Sequence, residues 1–212
     1  MVLRKNTGFS LLELMITISI ALVLTGVGYI ALNPVLNQAH INSAYDTTLM
    51  ALRNTRNLAI TQSHEYYVYF NPVGFPIGTI EVEYQPPAVG AGAAPPLQPV
   101  ITYTIPPDVR FAVQAGFPGN APDGFGAGAN AIDFGQGLAG EPLNYVIFMP
   151  DGSSQAFVVG NNGTYNSGVV YLTRPGDNMY VSSRAITVWG ATGRIRGWRL
   201  GQTAGVGAWV QQ

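Results

Sequence analysis

The stretch Gly8-Phe9-Ser10-Leu11-Leu12-Glu13-Leu14-Met15 decides how the rest of the chain is read. A short basic leader with Arg4, Lys5, Asn6 and Thr7 ends at Gly8, and from Phe9 to Leu32 every residue is apolar or small except Glu13. A membrane-spanning helix needs roughly 20 predominantly apolar residues, and this run supplies them with neither proline nor a second charge. Length alone makes it a membrane anchor. A carboxylate inside such a segment costs roughly 2.5–3.5 kcal/mol on insertion scales and marks function. Glu13 therefore calls for a cationic partner.

Around that anchor, 212 residues allow one ordinary domain, or at most two small ones. Charged residues make up only 10%, and 26 glycines and 15 prolines promise many turns and irregular loops. This is not the composition of a charge-coated cytosolic enzyme. The chain has no cysteine, so disulfides and thiolate metal sites are excluded and folding rests on packing. The formal net charge is −1; loss of residues 1–8 removes Arg4 and Lys5, the one lysine, and leaves eight arginines against eleven acids, −3. A secretory signal is cut after its hydrophobic run, at small residues. Here Tyr29, Ile30, Ala31, Leu32, Asn33 and Pro34 stand there instead, and the sharp Gly8/Phe9 boundary precedes the run. The positive-inside rule keeps Arg4 and Lys5 cytoplasmic and puts the long C-terminal part on the other side of the membrane.

A basic leader, a glycine, an aromatic residue, an acid at fixed offset and a clean apolar run together resemble the type IV prepilin class and its N-methylation motif. The resemblance implies that a dedicated prepilin peptidase cleaves between Gly8 and Phe9 and N-methylates Phe9. It also makes Glu13, the fifth residue of the mature chain, the assembly acid. Helix geometry agrees, because Glu13 lies four residues beyond Phe9 on the same face. In a low-dielectric bilayer the ammonium of Phe9, its own or a neighbouring subunit's, is the natural partner for that carboxylate. Such pairing would set the axial register of subunits.

Pro34 should kink or locally open the helix by removing a donor and crowding the carbonyl four residues back. From 34 to 62 the pattern turns amphipathic: Ile41, Tyr45, Thr48, Leu49, Leu52, Thr55, Ala59 and Ile60 recur at steps of three and four, with Asp46, Arg53, Arg56 and Asn57 mainly between them. Beyond it, β-branched and aromatic runs bounded by Gly, Pro, Asn and Asp predict strands at 66–70, 79–84, 100–105, 109–113, 145–149, 155–159, 169–172, 185–189 and 194–200. Asp151-Gly152 and Asn162-Gly163 are tight-hairpin pairs. Residues 85–99 and 114–142, rich in Gly, Ala and Pro, read as surface loops.

Two further stretches narrow the resemblance to the GspH/FimT-type minor pseudopilins and minor pilins. One is the end of the spine, Leu52-Arg-Asn-Thr-Arg-Asn-Leu-Ala-Ile-Thr-Gln62, feeding the strand at 66–70. The other is the C-terminal part, Tyr145-Val-Ile-Phe-Met-Pro-Asp-Gly152 and Arg184-Ala-Ile-Thr-Val-Trp-Gly-Ala-Thr-Gly-Arg-Ile-Arg196, a strand with a Pro-Asp-Gly turn and a last hairpin closing on Gly-Arg.

Catalysis has little to work with. His40 and His64 are 24 residues apart on or near one helix, too far to share a proton or a metal, and no Gly-x-Ser-x-Gly elbow occurs. Asp151 reads as a turn residue rather than a calcium ligand, since no Asp-x-Asp-x-Asp spacing surrounds it. Arg184, Arg194, Arg196 and Arg199 form the basic concentration of the chain, and on a strand Arg194 and Arg196 share a face that Ile195 does not. Gly193-Arg194-Ile195-Arg196 resembles the Gly-Arg-x-Arg element of DNA-uptake minor pilins. Four arginines on a net-acidic chain are a thin footprint for a phosphate backbone, so they read first as ion pairs or a solvated edge and second as a nucleic-acid contact through Arg194, Arg196 and Arg199.

The expected fold is α+β: a long N-terminal α-helical spine, half transmembrane and half amphipathic, packed on an antiparallel β-sheet domain. Its parts are a leader at 1–8, an assembly segment at 9–33, an amphipathic half at 34–62 and a β-rich periplasmic domain at 63–212. The expected role is a non-enzymatic minor pseudopilin of a type II secretion system, inserted once in the bacterial inner membrane and then built into a pseudopilus for protein export. The alternative is a minor pilin of a type IV pilus, with DNA binding in DNA uptake. Partners would be other pilins or pseudopilins through the N-terminal helix, the prepilin peptidase and the inner membrane, with DNA as a further candidate. Neither a cofactor nor a metal is called for.

Overall fold

A computed structural model describes residues 9–71, 73–87, 95–118, 121–126, 128–136, 138, 142–156, 163–203 and 205–212. Helix α1 (Leu11–Gln62) opens the chain, and the residues divide into two compact units, 1–38 and 39–212. In the first unit α1 presents Leu12, Ile16, Leu22, Leu24 and Val27 outward, all more than half exposed. The helix is long and apolar enough to cross a membrane. Its hydroxyls stay within it: Thr17, Ser19 and Thr25 donate to the carbonyls of Leu14, Met15 and Ala21 at 2.7–2.9 Å. Lipid can therefore surround these three side chains without stranding their hydroxyls. The opening expected at Pro34 does not interrupt the helix, which continues through it. Proline removes only its own donor, and the bonds of the neighbouring turns carry the helix past it.

In the second unit α1 lays one stripe on a core. Ile41, Ala44, Tyr45, Thr48, Ala51, Leu52, Thr55 and Ala59 are buried, at helical steps of three and four. Thr48 and Thr55 take part without an orphaned hydroxyl, donating to Ala44 and Ala51 at 2.8 and 2.7 Å. Ile60, expected on the stripe, stands at its rim, 41% exposed.

Two antiparallel sheets complete the core. Sheet A runs in the order β3 (Gln98–Thr104), β2 (Thr79–Tyr84), β1 (Tyr66–Phe70), β6 (Tyr145–Phe148), β7 (Ser154–Ala156), β8 (Thr164–Tyr165). Sheet B runs β12 (Val206–Gln211), β11 (Arg194–Thr203), β10 (Ser183–Trp189), β9 (Gly168–Thr173), β4 (Arg110–Phe111), and β5 (Ile132–Phe134) also pairs with β9. Tyr66, Val68, Phe70, Ile80, Val82, Val146 and Phe148 from sheet A meet Val170, Leu172, Ile186 and Val188 from sheet B in one cluster with the helix stripe. A short helix α2 (Met179–Ser182) precedes β10, its N-cap Asn178 accepting from Tyr180 N at 3.0 Å.

The α+β expectation holds, with local differences. β3 begins at Gln98 and includes Pro99, which an edge strand tolerates because the missing donor faces no neighbour. β5, β8, β12 and α2 are elements that periodicity does not announce, being two to six residues long. β5 lies inside the stretch expected as loop 114–142, and its Phe134 is fully buried, stacked on Phe70 at 5.8 Å. A three-residue run among glycines carries no period, so only the packing of Phe134 identifies it. The hairpin turn at Asp151-Gly152 is present, Gly152 at φ +81 and its N–H reaching Met149 O at 2.9 Å. Asn162 and residues 157–159 of the expected strand 155–159 lie outside the described residues, as do 88–94 of loop 85–99.

Candidate functional site

The first candidate is the start of α1. Gly8 and the leader lie outside the described residues, and Phe9 precedes the helix, 77% exposed. Leu14 N donates to Ser10 O at 3.1 Å, closing the first turn, and Glu13 sits in that turn. The helix N-terminus favours an anion there. Glu13 is exposed on an otherwise apolar surface and meets no cation among the described residues. Chemically it can do one thing, accept a cationic partner brought from elsewhere.

The second candidate is the β10–β11 hairpin. Residues of even number on β11 share one face of sheet B and those of odd number the other, so Arg194 and Arg196 stand together and Arg199 does not join them. Arg199 is instead the register partner of Arg184, on the face turned to the helix. There Arg184, 1% exposed, donates to Val181 O and Ser183 O at 3.0 Å and to Asn42 Oδ1 at 2.8 Å. Burial, then the nearby Arg199, pulls the Arg184 guanidinium down to about 10. Arg184 is thus a core element and no part of a surface patch.

Arg196 is engaged as well. Its Nη1 donates to Asp123 Oδ1 at 2.6 Å, and its guanidinium lies 5.8 Å from the Trp189 ring centroid. The other Asp123 oxygen accepts from Thr187 Oγ1 at 2.6 Å and Trp189 Nε1 at 3.0 Å, while Trp198 Nε1 donates to Thr187 Oγ1 at 3.0 Å. Asp123 takes a left-handed conformation (φ 56) in the Pro122–Gly124 turn, which Asp adopts more readily than most residues. Its bonds hold the turn down on β10 and β11. Sequence reasoning missed this acid, which sits in a stretch read as loop; the signal was Pro122-Asp123-Gly124, the same tripeptide as the turn at 150–152.

Arg194 remains exposed with no partner for its side chain among the described residues. It borders a groove of about 530 Å3 with Arg53, Arg56, Asn57 and Gly193. Arg56 is tied to both adjoining turns, donating to Gly152 O and Thr192 O at 3.0 Å. The approach is close enough that a Cβ on Gly193, itself at φ +57, would sit 1.9 Å from Gly152 O. Four residues further along, a Cβ on Gly197 would sit 1.6 Å from the Tyr45 hydroxyl, so glycine is what lets the helix lie on β11.

His40 and His64 are not brought together. His40 Nδ1 lies 2.9 Å from Asp108 Oδ2, which also accepts from Arg174 Nε at 2.7 Å, and His64 rests 6.0 Å from the Tyr84 ring. Asp151 Oδ1 accepts from Ser153 N at 2.8 Å within its turn, and its hydrogen bonds with Ser153 hold it below the usual aspartate range. Among the described residues no group of three or more His, Asp or Glu is placed to hold a metal.

Residues 3–29 match the family model described as the prokaryotic N-terminal methylation motif. No curated protein matches the chain. The crystal structure of the type IV minor pilin FimU of Pseudomonas aeruginosa strain PAO1 is similar at 10% identity and a TM-score of 0.39, over 79% of this chain and 92% of that one. So distant a likeness carries no residue-by-residue correspondence. The chain thus carries the prokaryotic N-terminal methylation motif over residues 3–29.

Proposed function

We propose that the chain is a minor pilin-like subunit that waits in the inner membrane and then enters a filament, and that the machine it serves is a type II secretion pseudopilus. The observation that carries the reading is Glu13, an unanswered carboxylate on an apolar helix. Cleavage between Gly8 and Phe9 by a prepilin peptidase would create an ammonium four residues from it, and a neighbouring subunit's ammonium would serve equally. Moving from lipid to a bundle of similar helices keeps the apolar surface out of water while the charge gains its partner. The leader arginine and lysine favour a cytoplasmic N-terminus and a periplasmic C-terminal domain. Export is favoured over DNA uptake because Asp123 already occupies Arg196, leaving Arg194 alone of the Gly-Arg-Ile-Arg pair to meet a phosphate.

The Glu13→Leu chain should remain membrane-inserted yet fall at least about tenfold in sheared filaments, the loss expected for removing an ion pair worth about 1.4 kcal/mol or more. Incorporation at the normal level would refute the register role. Gly8→Leu should retain the leader, and an unchanged mature N-terminus by mass spectrometry would refute the cleavage assignment. Deleting the gene should deplete exported proteins from the medium while surface pili persist. Loss of pili with export intact would move the chain to the type IV pilus.

A further inference from the structure

The groove between α1 and the β10–β11 turn gathers three guanidinium groups and no carboxylate. Arg53 and Arg56, three residues apart on α1, line one side, Arg194 at the start of β11 lines the other, and Asn57 and Ile195 help to enclose a cavity of about 530 Å3. No hydrogen bond or ion pair reaches the side chain of Arg53 or Arg194 among the described residues. Arg56 is fixed by both adjoining turns, its Nε donating to Gly152 O and its Nη2 to Thr192 O, and its Nη1 is uncommitted.

The want of acids extends along the seam where α1 lies on β11. Its contacts run from Gly193 against Arg56, through Gly197 against Tyr45, to Arg184 against Asn42. Five of the eight arginines beyond Gly8 belong to it, Arg53, Arg56, Arg184, Arg194 and Arg199, and none of them enters an ion pair among the described residues. Arg174 and Arg196, away from the seam, both meet aspartates. A second observation at the far end agrees: Arg184, 1% exposed, meets only neutral oxygens, and its Nε is buried without a partner. The positive charge of the seam is thus not answered within the chain, since Asp46 on the same stretch of α1 is exposed and forms no ion pair among the described residues. A cleft lined by one sign of charge focuses the field and draws in the opposite sign.

We infer that this groove receives an acidic peptide segment of another protein, its carboxylates meeting the guanidinium groups of Arg53 and Arg194 and the free Nη1 of Arg56. A carboxylate matches the guanidinium fork and accepts two parallel hydrogen bonds from it. The anchoring of Arg56 by the two turns sets one donor in place before the ligand arrives, which lowers the cost of ordering it. Asn57 and Thr192 add polar groups that can bond a peptide backbone, and Ile195 adds an apolar contact. Nucleic acid fits less well. Single strands are held by stacking bases on aromatic rings, and no ring lines this groove. Arg196, the next basic residue on the Arg194 face of β11, is already held by Asp123. The site is independent of which filament the subunit enters.

The test is isothermal titration of the full-length chain, in micelles of an uncharged detergent, with acetyl-Gly-Glu-Glu-Gly-amide. The same peptide with glutamine in place of glutamate, inorganic phosphate and a short oligothymidylate are the other arms. The acidic peptide should bind and its neutral counterpart should not. Arg194→Gln should weaken the acidic peptide at least about tenfold, as loss of a charge-assisted bidentate contact implies, and Arg53→Gln should weaken it severalfold. Arg110→Gln, on exposed β4 outside the groove, should leave it unchanged. Circular dichroism melting checks the variants. Arg53→Gln and Arg194→Gln should melt no lower than the native chain, because each removes one of several like charges and no bond of the fold. Failure of the acidic peptide to bind, equal binding to Arg194→Gln and Arg53→Gln, equal weakening by Arg110→Gln, or a marked drop in the melting temperature of both groove variants would overturn the site. Arg194-dependent binding of phosphate or oligothymidylate in place of the peptide would overturn its assignment to a protein carboxylate.

Discussion

On the outer face of sheet B the Asp123 side chain, 5% exposed, meets Arg196, Thr187 and Trp189, whereas on the outer face of sheet A Glu81, 9% exposed, meets no partner among the described residues. The Asp123 carboxylate is held by the fold's own donors, whereas the Glu81 carboxylate oxygens reach solvent. Sheet B is capped by the chain's own Val113, Phe117 and Phe125: Phe117 packs on Tyr171 and Trp209 at 5.6 and 5.4 Å, and Phe125 meets Trp189 edge-on at 4.9 Å. Covered on both sides, β9 is buried at every position. Sheet A has Tyr67, Tyr69, Tyr145, Glu81, Glu83 and Ile147 on its outer face and mainly apolar residues on its inner one. The difference teaches that the acid drawn under a cap is met by donors of the fold, while the acid on the uncovered face keeps water as its partner.

The sharpest way to break that comparison is to remove the donors' acceptor. Asp123→Ala leaves Arg196, Thr187 and Trp189 without it and should cost about 3 kcal/mol, the range for breaking one side of a buried ion pair. Urea unfolding of the full chain in micelles, followed by tryptophan fluorescence, reads it directly because Trp189 and Trp198 sit in the cluster. An unchanged midpoint would mean that the clamp carries no weight. The cap itself comes next. Trp209→Ala removes ring contacts to Phe117 and Tyr171, and should cost about 2 kcal/mol, below the core value for tryptophan because Trp209 is only half-buried. Hydrogen exchange should quicken first around 113–118 and in β12; uniform quickening throughout sheet B would deny the segment its role as a cap.

These contrasts also mark where the sequence was legible. The helix stripe at Ile41, Tyr45, Leu52 and Ala59, and strands such as Tyr66–Phe70, repeat at 3.6 and 2, so their buried faces can be read before any coordinates exist. The stretch around Glu13 stands out in the sequence for a different reason, a lone charge in a long apolar run. Asp123 and Phe134 were not, because each acts through contacts made across more than 60 residues, Asp123 to Thr187, Trp189 and Arg196 and Phe134 to Phe70, and neither lies in a periodic run. The arginines show the limit of spacing. Alternation correctly separated Arg194 and Arg196 from Ile195, but it could not show that Arg196 was spoken for, nor that Arg184 was buried.

The smallest effect sharpens the comparison through pH. Glu83 has its folded pKa raised above the usual 4.5, so in that window the folded chain holds more protons than the unfolded one. Stability must then fall as pH rises from the usual glutamate value through the raised one. Asp108 and Asp151 act with the opposite sign. Against its own burial, bonds from His40 and Arg174 hold Asp108 below the usual 3.8, and Asp151 is held there by Ser153. Their contribution is present above that value and lost as pH falls through the lowered ones. The urea midpoint of the native chain should therefore carry two limbs, an acid limb from the paired aspartates and a gentle decline just above pH 4.5 from sheet A. Glu83→Gln should erase the decline and leave the acid limb in place. If the decline persists in Glu83→Gln, the uncompensated charge of sheet A is not its source, and the contrast between the two faces loses its electrostatic half.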